Sequence, residues 1–296
     1  MKVYSPFPEP HMIPPQPGHP HTHTAILLHG RASSGPEFAE DLFSSYLSHG
    51  TNLVTAFPTW RWVFPTSRVR WSSMFQEEMC AWFEAGPLSA GNNELEAEVG
   101  FEKKERRVKM EGLRRSVGFI VRLVEREVKL LEDKEGQVFL GGISQGMATG
   151  LCALFCLPAP LGGRLGGFLG MCGWLPFAGE IAASGRGLED GQDRDRVVLE
   201  FFSERIFGGS GLNEVDTAVL STPLLLMHGT DDVWVPVELG RQARRVVEET
   251  MGMSVEWLEF IAAENDGHWI KEPDGFDEIA QFFARRTNYR CKRPEA

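Results

Sequence analysis

Val138-Phe139-Leu140-Gly141-Gly142-Ile143-Ser144-Gln145-Gly146 is the stretch on which the fold turns. A short buried strand leads into a Gly-x-Ser-x-Gly pattern. The apolar segment that follows, from Gln145 to about Leu157, reads as a helix ended by Pro158. In a chain with 32 glycines the pattern alone arises easily by chance. Its place between a strand and a helix gives it meaning, because a serine on such a turn is strained, with its hydroxyl pushed into the open. The flanking glycines let strand and helix approach more closely than side chains would allow. The Gln145 N–H, at the start of the helix, points to where negative charge on an attacked oxygen would form.

Working outward, Thr24-Ala25-Ile26-Leu27-Leu28 is an apolar run ending in His29-Gly30, as expected of a strand buried on both faces. A second strand lies at residues 53–57 or 62–64, each closed by a proline. Leu113, Val117, Ile120, Val121, Val124, Val128 and Leu131 form one helical stripe that stops near Gly136. Residues 167–171, 223–227 and 255–260 read as further strands. A helix begins near Pro236, and a closing helix runs over about 276–286. Strands alternating with helices predict an α/β chain with a mainly parallel sheet covered by helices on both faces. With the serine turn, that is the α/β-hydrolase fold. The expected organisation is an irregular Pro- and His-rich arm over residues 1–23 and a single domain over 24–296. Insertions are expected at about 86–112, where a mixed-charge run reads as a solvated face, and at 184–221, with a helix near 195–207.

At 42% hydrophobic and 24% charged, the 296 residues have enough apolar content for one large core. The net charge of −11 excludes the basic footprint of a nucleic-acid binder and argues against docking on an anionic membrane. The five cysteines have no metal-ligand spacing and read as reduced, mostly buried thiols. His19, His21 and His23 read as a solvated cluster, not a metal site. No signal-peptide pattern opens the chain, and the longest apolar stretch, residues 151–161, is broken by Pro158 and Pro160. A cytoplasmic protein without a transmembrane segment is the expectation.

On this fold the nucleophile is followed along the chain by an acid and then a histidine, each on a loop after a strand. Of eight histidines only His228 and His268 follow Ser144. His228 precedes every acid on the next loop, which suits a core or loop-shaping role. His268, in Asp266-Gly267-His268-Trp269, is therefore the candidate base. The acid is Asp231 or Asp232, and position alone does not separate them.

Leu28-His29-Gly30, Gly141-Gly142-Ile143-Ser144-Gln145-Gly146, Trp174-Leu175-Pro176 and His228-Gly229 with Asp232-Val233-Trp234-Val235-Pro236 and Gly267-His268 resemble the phospholipase/carboxylesterase family, which includes acyl-protein thioesterases. The likeness runs over about residues 24–286, outside the two insertions. In that family the acid stands four residues before the proline, which selects Asp232. The resemblance also implies a second oxyanion donor, the N–H of Arg31. The loop departs from the thioesterases here: they carry Gly-Asp close behind His-Gly, where this chain has Arg31-Ala32-Ser33-Ser34-Gly35.

These residues imply acyl transfer to water. Ser144 attacks an ester or thioester, His268 acts as base, Asp232 orients it, and the N–H groups of Arg31 and Gln145 hold the oxyanion, with no metal or organic cofactor required. Trp174, Trp234 and Trp269 are candidate walls of an acyl pocket. The alternatives are a non-catalytic binding module, which has no reason to keep all three groups, and a dienelactone-hydrolase-like enzyme, which would place cysteine at the turn. The substrate, whether small ester, lysophospholipid or acylated protein, depends on pocket shape.

Overall fold

The computed structural model describes residues 6–86, 88, 103–158, 161, 163–185, 191–207 and 217–287. Strands β1 (His11–Ile13), β2 (His23–Leu28) and β3 (Trp60–Phe64) are followed by an antiparallel hairpin, β4 (Arg68–Ser72) and β5 (Glu77–Ala81). β6 (Val138–Ile143), β7 (Gly167–Met171), β8 (Leu224–Gly229) and β9 (Val255–Phe260) complete a seven-stranded sheet of order β1-β3-β2-β6-β7-β8-β9. Every neighbouring pair is parallel except β1 with β3. The helices are α1 (Gly35–Ser44), α2 (Leu53–Ala56), α3 (Lys103–Leu130), α4 (Gln145–Leu154), α5 (Ala178–Ser184), α6 (Gly191–Phe207), α7 (Val237–Arg245) and α8 (Asp274–Arg286).

The central strands are apolar throughout because both faces are covered. Along β2, Ile26 and Leu28 point into one core with residues of α3, α4, α6 and α7, such as Val124, Leu151, Phe202 and Leu239. Ala25 and Leu27 point into a second core with Phe38 of α1, Leu53 of α2 and Phe276 and Phe283 of α8. This is the expected α/β layering, with helices on both faces of the sheet.

Three expectations are corrected, and the open choice for the second strand is resolved. Residues 1–23 are not simply an arm: β1 pairs with β3, His11 opposite Phe64 and Ile13 opposite Trp62, and Gln16 N–H donates to the Pro58 carbonyl. An edge strand this short leaves no periodicity to read. Of the two candidates for the second strand, residues 62–64 lie in β3, whereas Leu53–Ala56 form α2, started by the Asn52 side chain accepting from the Thr55 N–H. The stretch expected as an insertion at 86–112 gives its last residues to α3, which starts at Lys103. Residues 87 and 89–102 lie outside the described residues. Within 184–221, α6 is packed into the first core through Val198, Leu199, Phe202 and Ile206. It belongs to the helical layer, as the helix expected near 195–207, while 186–190 and 208–216 lie outside the described residues.

A close backbone approach of α4 to β2 sets the serine turn. A Cβ on Gly146 would stand 2.2 Å from the Leu28 carbonyl oxygen and 2.6 Å from that of His29. Gly146→Ala therefore has to push the start of α4 off the end of β2. We expect a loss of about 1–3 kcal/mol, the usual cost of overpacking, read as a lower urea midpoint at unchanged m-value. A midpoint equal to that of the wild type would show that the contact has slack.

Candidate active site

Ser144 follows β6 and precedes α4 with φ +56° and ψ −123°, the strained turn expected of it. Its N–H donates to the Met171 carbonyl at 2.8 Å, which fastens the turn to β7. Gln145 begins α4, so its N–H has no acceptor within the helix.

Asp232 and His268 meet across the loops that follow β8 and β9. His268 Nδ1 lies 2.7 Å from Asp232 Oδ2. A carboxylate only accepts, so Nδ1 carries the proton and Nε2 is left with its lone pair. Asp232 Oδ1 accepts from the N–H groups of Trp234 and Val235, both at 2.9 Å. Burial alone would raise the Asp232 pKa, but the hydrogen bonds from His228 and His268 and the Val235 N–H outweigh it and hold the carboxyl below the ordinary carboxylate value. The neighbouring Asp231 turns away and accepts from the Ala262 N–H at 2.9 Å.

A network that the sequence reading did not foresee joins the serine turn to the His-Gly loop. The fully buried Gln145 side chain accepts from the Trp82 N–H at 2.9 Å and donates to the Phe83 carbonyl at 2.9 Å. The Trp82 indole N–H donates to the His29 carbonyl at 2.8 Å, and Ala32 N–H donates to the Cys80 carbonyl at 2.9 Å. The loop carrying Gly30 and Arg31 is thus tied to the end of the β4–β5 hairpin, and the hairpin to the residue after Ser144. His29 is buried beneath it: Nε2 accepts from the Ser67 N–H at 3.0 Å, and Nδ1 faces the Gly30 carbonyl at 2.5 Å.

A cavity of about 410 Å³ opens over Ser144 and His268. Arg31, Trp234 and Trp269 line it, as do Met74 and Phe75 from the hairpin turn. The Arg31 guanidinium lies 5.3 Å from the Phe75 ring centre. Asp232 and Gln145 stand behind this wall, buried. Trp174 is a correction: it is buried in the first core, edge-on to Phe83 with ring centres 6.4 Å apart, and does not line the cavity. Its Trp-Leu-Pro segment follows β7 directly, and the indole turns inward. The thiol of Cys172 lies within 4.8 Å of the Asp232 and His268 donor atoms. Burial pushes the pKa of that thiol well up, and the Asp232 oxygens are already engaged by N–H donors, which makes this trio a poor metal cage.

The model of the phospholipase/carboxylesterase family matches residues 13–189, more than half of the chain. The chain belongs to the phospholipase/carboxylesterase family. The serine turn lies within the matched region of this family of hydrolases, while Asp232 and His268 lie beyond it. It is 23% identical to acyl-protein thioesterase 1 of Yarrowia lipolytica over 262 residues, 88% of each chain. It is also 23% identical to acyl-protein thioesterase 1 of Gibberella zeae, over 90% of this chain and 91% of that one. Among solved structures, acyl-protein thioesterase 2 of Zea mays is similar with a TM-score of 0.60 at 22% identity, covering 94% of this chain and 98% of that one. SOBER1 of Arabidopsis thaliana gives 0.61 at 21% identity, covering 90% and 99%. These structures share the α/β-hydrolase fold of the family. Among the described residues no helix is long and apolar enough to cross a membrane.

His29 gives the loop under the site a pH dependence. Burial lowers its pKa from the ordinary 6.5 to about 4, in keeping with an Nε2 that accepts a backbone N–H and so carries no proton. The unfolded chain binds this proton at a higher pH than the folded one. The contribution is complete above pH 6.5 and is lost as the pH falls toward 4. A shift of this size is worth on the order of 3 kcal/mol. Urea unfolding at pH 7 and pH 4.5 should show the loss, and His29→Gln should flatten it. An equally steep fall in the variant would remove His29 as the cause.

Proposed function

We propose that this chain hydrolyses carboxylic esters or thioesters through an acyl-enzyme, with Ser144 as nucleophile, His268 as general base and Asp232 as the acid that orients it. The observation that carries the reading is the 2.7 Å pairing of His268 Nδ1 with Asp232 Oδ2, which leaves Nε2 unprotonated at the cavity that also exposes Ser144. His268 Nε2 takes the hydroxyl proton as Ser144 Oγ attacks the carbonyl carbon. The imidazolium formed is stabilised by Asp232, and the proton then passes to the leaving alcohol or thiol. Water, deprotonated by the same histidine, hydrolyses the acyl-enzyme and restores Ser144.

The N–H groups of Gln145 and Arg31 serve as the oxyanion donors, each worth about 3–4 kcal/mol. The ties through Trp82 and Cys80 support that role, because they fix the two loops that carry these N–H groups. Trp234, Trp269, Met74 and Phe75 favour an acyl group over a polar one in the cavity. Acylated proteins, the substrates named for the similar thioesterases, are therefore the first class to test. We place the protein in the cytoplasm; the free cysteines Cys80, Cys152, Cys156 and Cys172 fit a reducing compartment.

The test is hydrolysis of p-nitrophenyl esters from about two to sixteen carbons, together with a palmitoyl thioester peptide. Ser144→Ala should lower kcat by at least about 10³-fold, and Asp232→Asn by about 10⁴-fold with little change in KM. A folded wild type that turns over none of these substrates, or an Ser144→Ala variant as active as wild type, would sink the proposal.

A further inference from the structure

We infer that His228 is a positioning residue for the Asp232–His268 pair, its Nε2–H clamping the acid's loop and carboxylate together. The inference rests on the reading of that pair as acid and base. His228 is the last residue but one of β8 and is buried. Its Nε2 lies 2.9 Å from the Val235 carbonyl oxygen and 3.4 Å from Asp232 Oδ2. A carbonyl only accepts, so Nε2 carries the proton, and this one N–H faces both acceptors. The loop from His228 to Val235 is thereby closed on itself with Asp232 inside it.

The carboxylate is then held at both oxygens. Oδ1 has the Trp234 and Val235 N–H groups, and Oδ2 has His268 at 2.7 Å with His228 at 3.4 Å. The carboxylate cannot turn about its Cβ–Cγ bond without leaving buried hydrogen-bonding groups unmatched. The clamp is itself fixed. The helix α7 passes so close that a Cβ on Gly240 would stand 2.3 Å from His228 Nδ1, and the Trp257 ring lies 6.4 Å away on β9. Glu259, opposite His228 in the β8–β9 register, is bound at both oxygens by Arg241, at 2.8 and 2.7 Å. The sequence reading gave His228 a loop-shaping role; the geometry makes the shaped loop the one that carries the acid.

Three variants test this. His228→Leu removes the donor but keeps an apolar side chain in the slot. His228→Gln can return an N–H to the same place, and Gly240→Ala displaces the ring without removing it. For Leu and Ala we expect kcat on p-nitrophenyl esters to fall about tenfold or more with KM within about twofold, since misplacement of about 1 Å costs up to ~10²-fold. Gln should recover most of the loss. Proton NMR gives a readout independent of turnover: the far-downfield His268 Nδ1 proton should be present in wild type and Gln and lost or shifted in Leu. A folded Leu variant with kcat near wild type overturns the inference. So do Leu and Gln variants that lose activity alike while both keep the downfield proton, because His228 then only packs. If the wild type shows that proton yet cleaves no ester, the hydrolase proposal fails, and the NMR comparison alone still decides the role of His228.

Discussion

The approach of Gly146 to the Leu28 carbonyl, too close for any side chain, governs most of what surrounds it. Bringing the first turn of α4 against the end of β2 places Ser144 beside Gly30, so that the loops after the two strands share one wall of the cavity. The close contact also drives the Gln145 side chain into the interior, where an unmatched amide would be costly. Its two partners, the Trp82 N–H and the Phe83 carbonyl, draw in the segment after the β4–β5 hairpin. One steric constraint thus propagates through a buried amide to a hairpin that has no pairing with the main sheet.

The acid side of the site follows a different logic. Asp232 is buried, and a buried carboxylate is tolerated only when its oxygens are matched. Two backbone N–H groups and two imidazoles do this. The same donors that make the charge tolerable also give it a single orientation. Solvation of Asp232 and the aim of His268 are therefore one structural problem with one solution.

How legible this was depended on the range of the interactions. The strand ends of β7 and β9, the serine turn and the meeting of His268 with an acid on the loop after β8 could be read, because buried parallel strands are short apolar runs and the loops after them carry the polar groups. The family resemblance was needed to choose Asp232 over Asp231, whose local positions are equivalent. What could not be read was long-range or lacked a period. β1 is a three-residue edge strand in a Pro- and His-rich segment, and the first turns of α3 lie in a mixed-charge run with no apolar stripe to mark its start. The β4–β5 hairpin, with Arg68, Arg70 and Trp71 on one strand and Glu77 and Glu78 on the other, has no apolar alternation to announce it. The Gln145 side chain finds its partners 62 and 63 residues away. Trp174 sits in a family motif beside the site, yet its side chain turns into the core.

The order of the strands in space also says something about time. Parallel strands bring chain positions 30, 144 and 268 to one cavity, but a ribosome supplies them in sequence, and domains begin to organise before their chains are finished. An emerging chain would possess the serine turn and the His29-Gly30 loop long before β9 adds the loop carrying His268. Until that last strand docks, Ser144 and His268 do not face the same cavity. Under the proposed mechanism the nascent protein is therefore silent toward acyl groups during synthesis, and reactivity arrives in a single step with completion of the sheet.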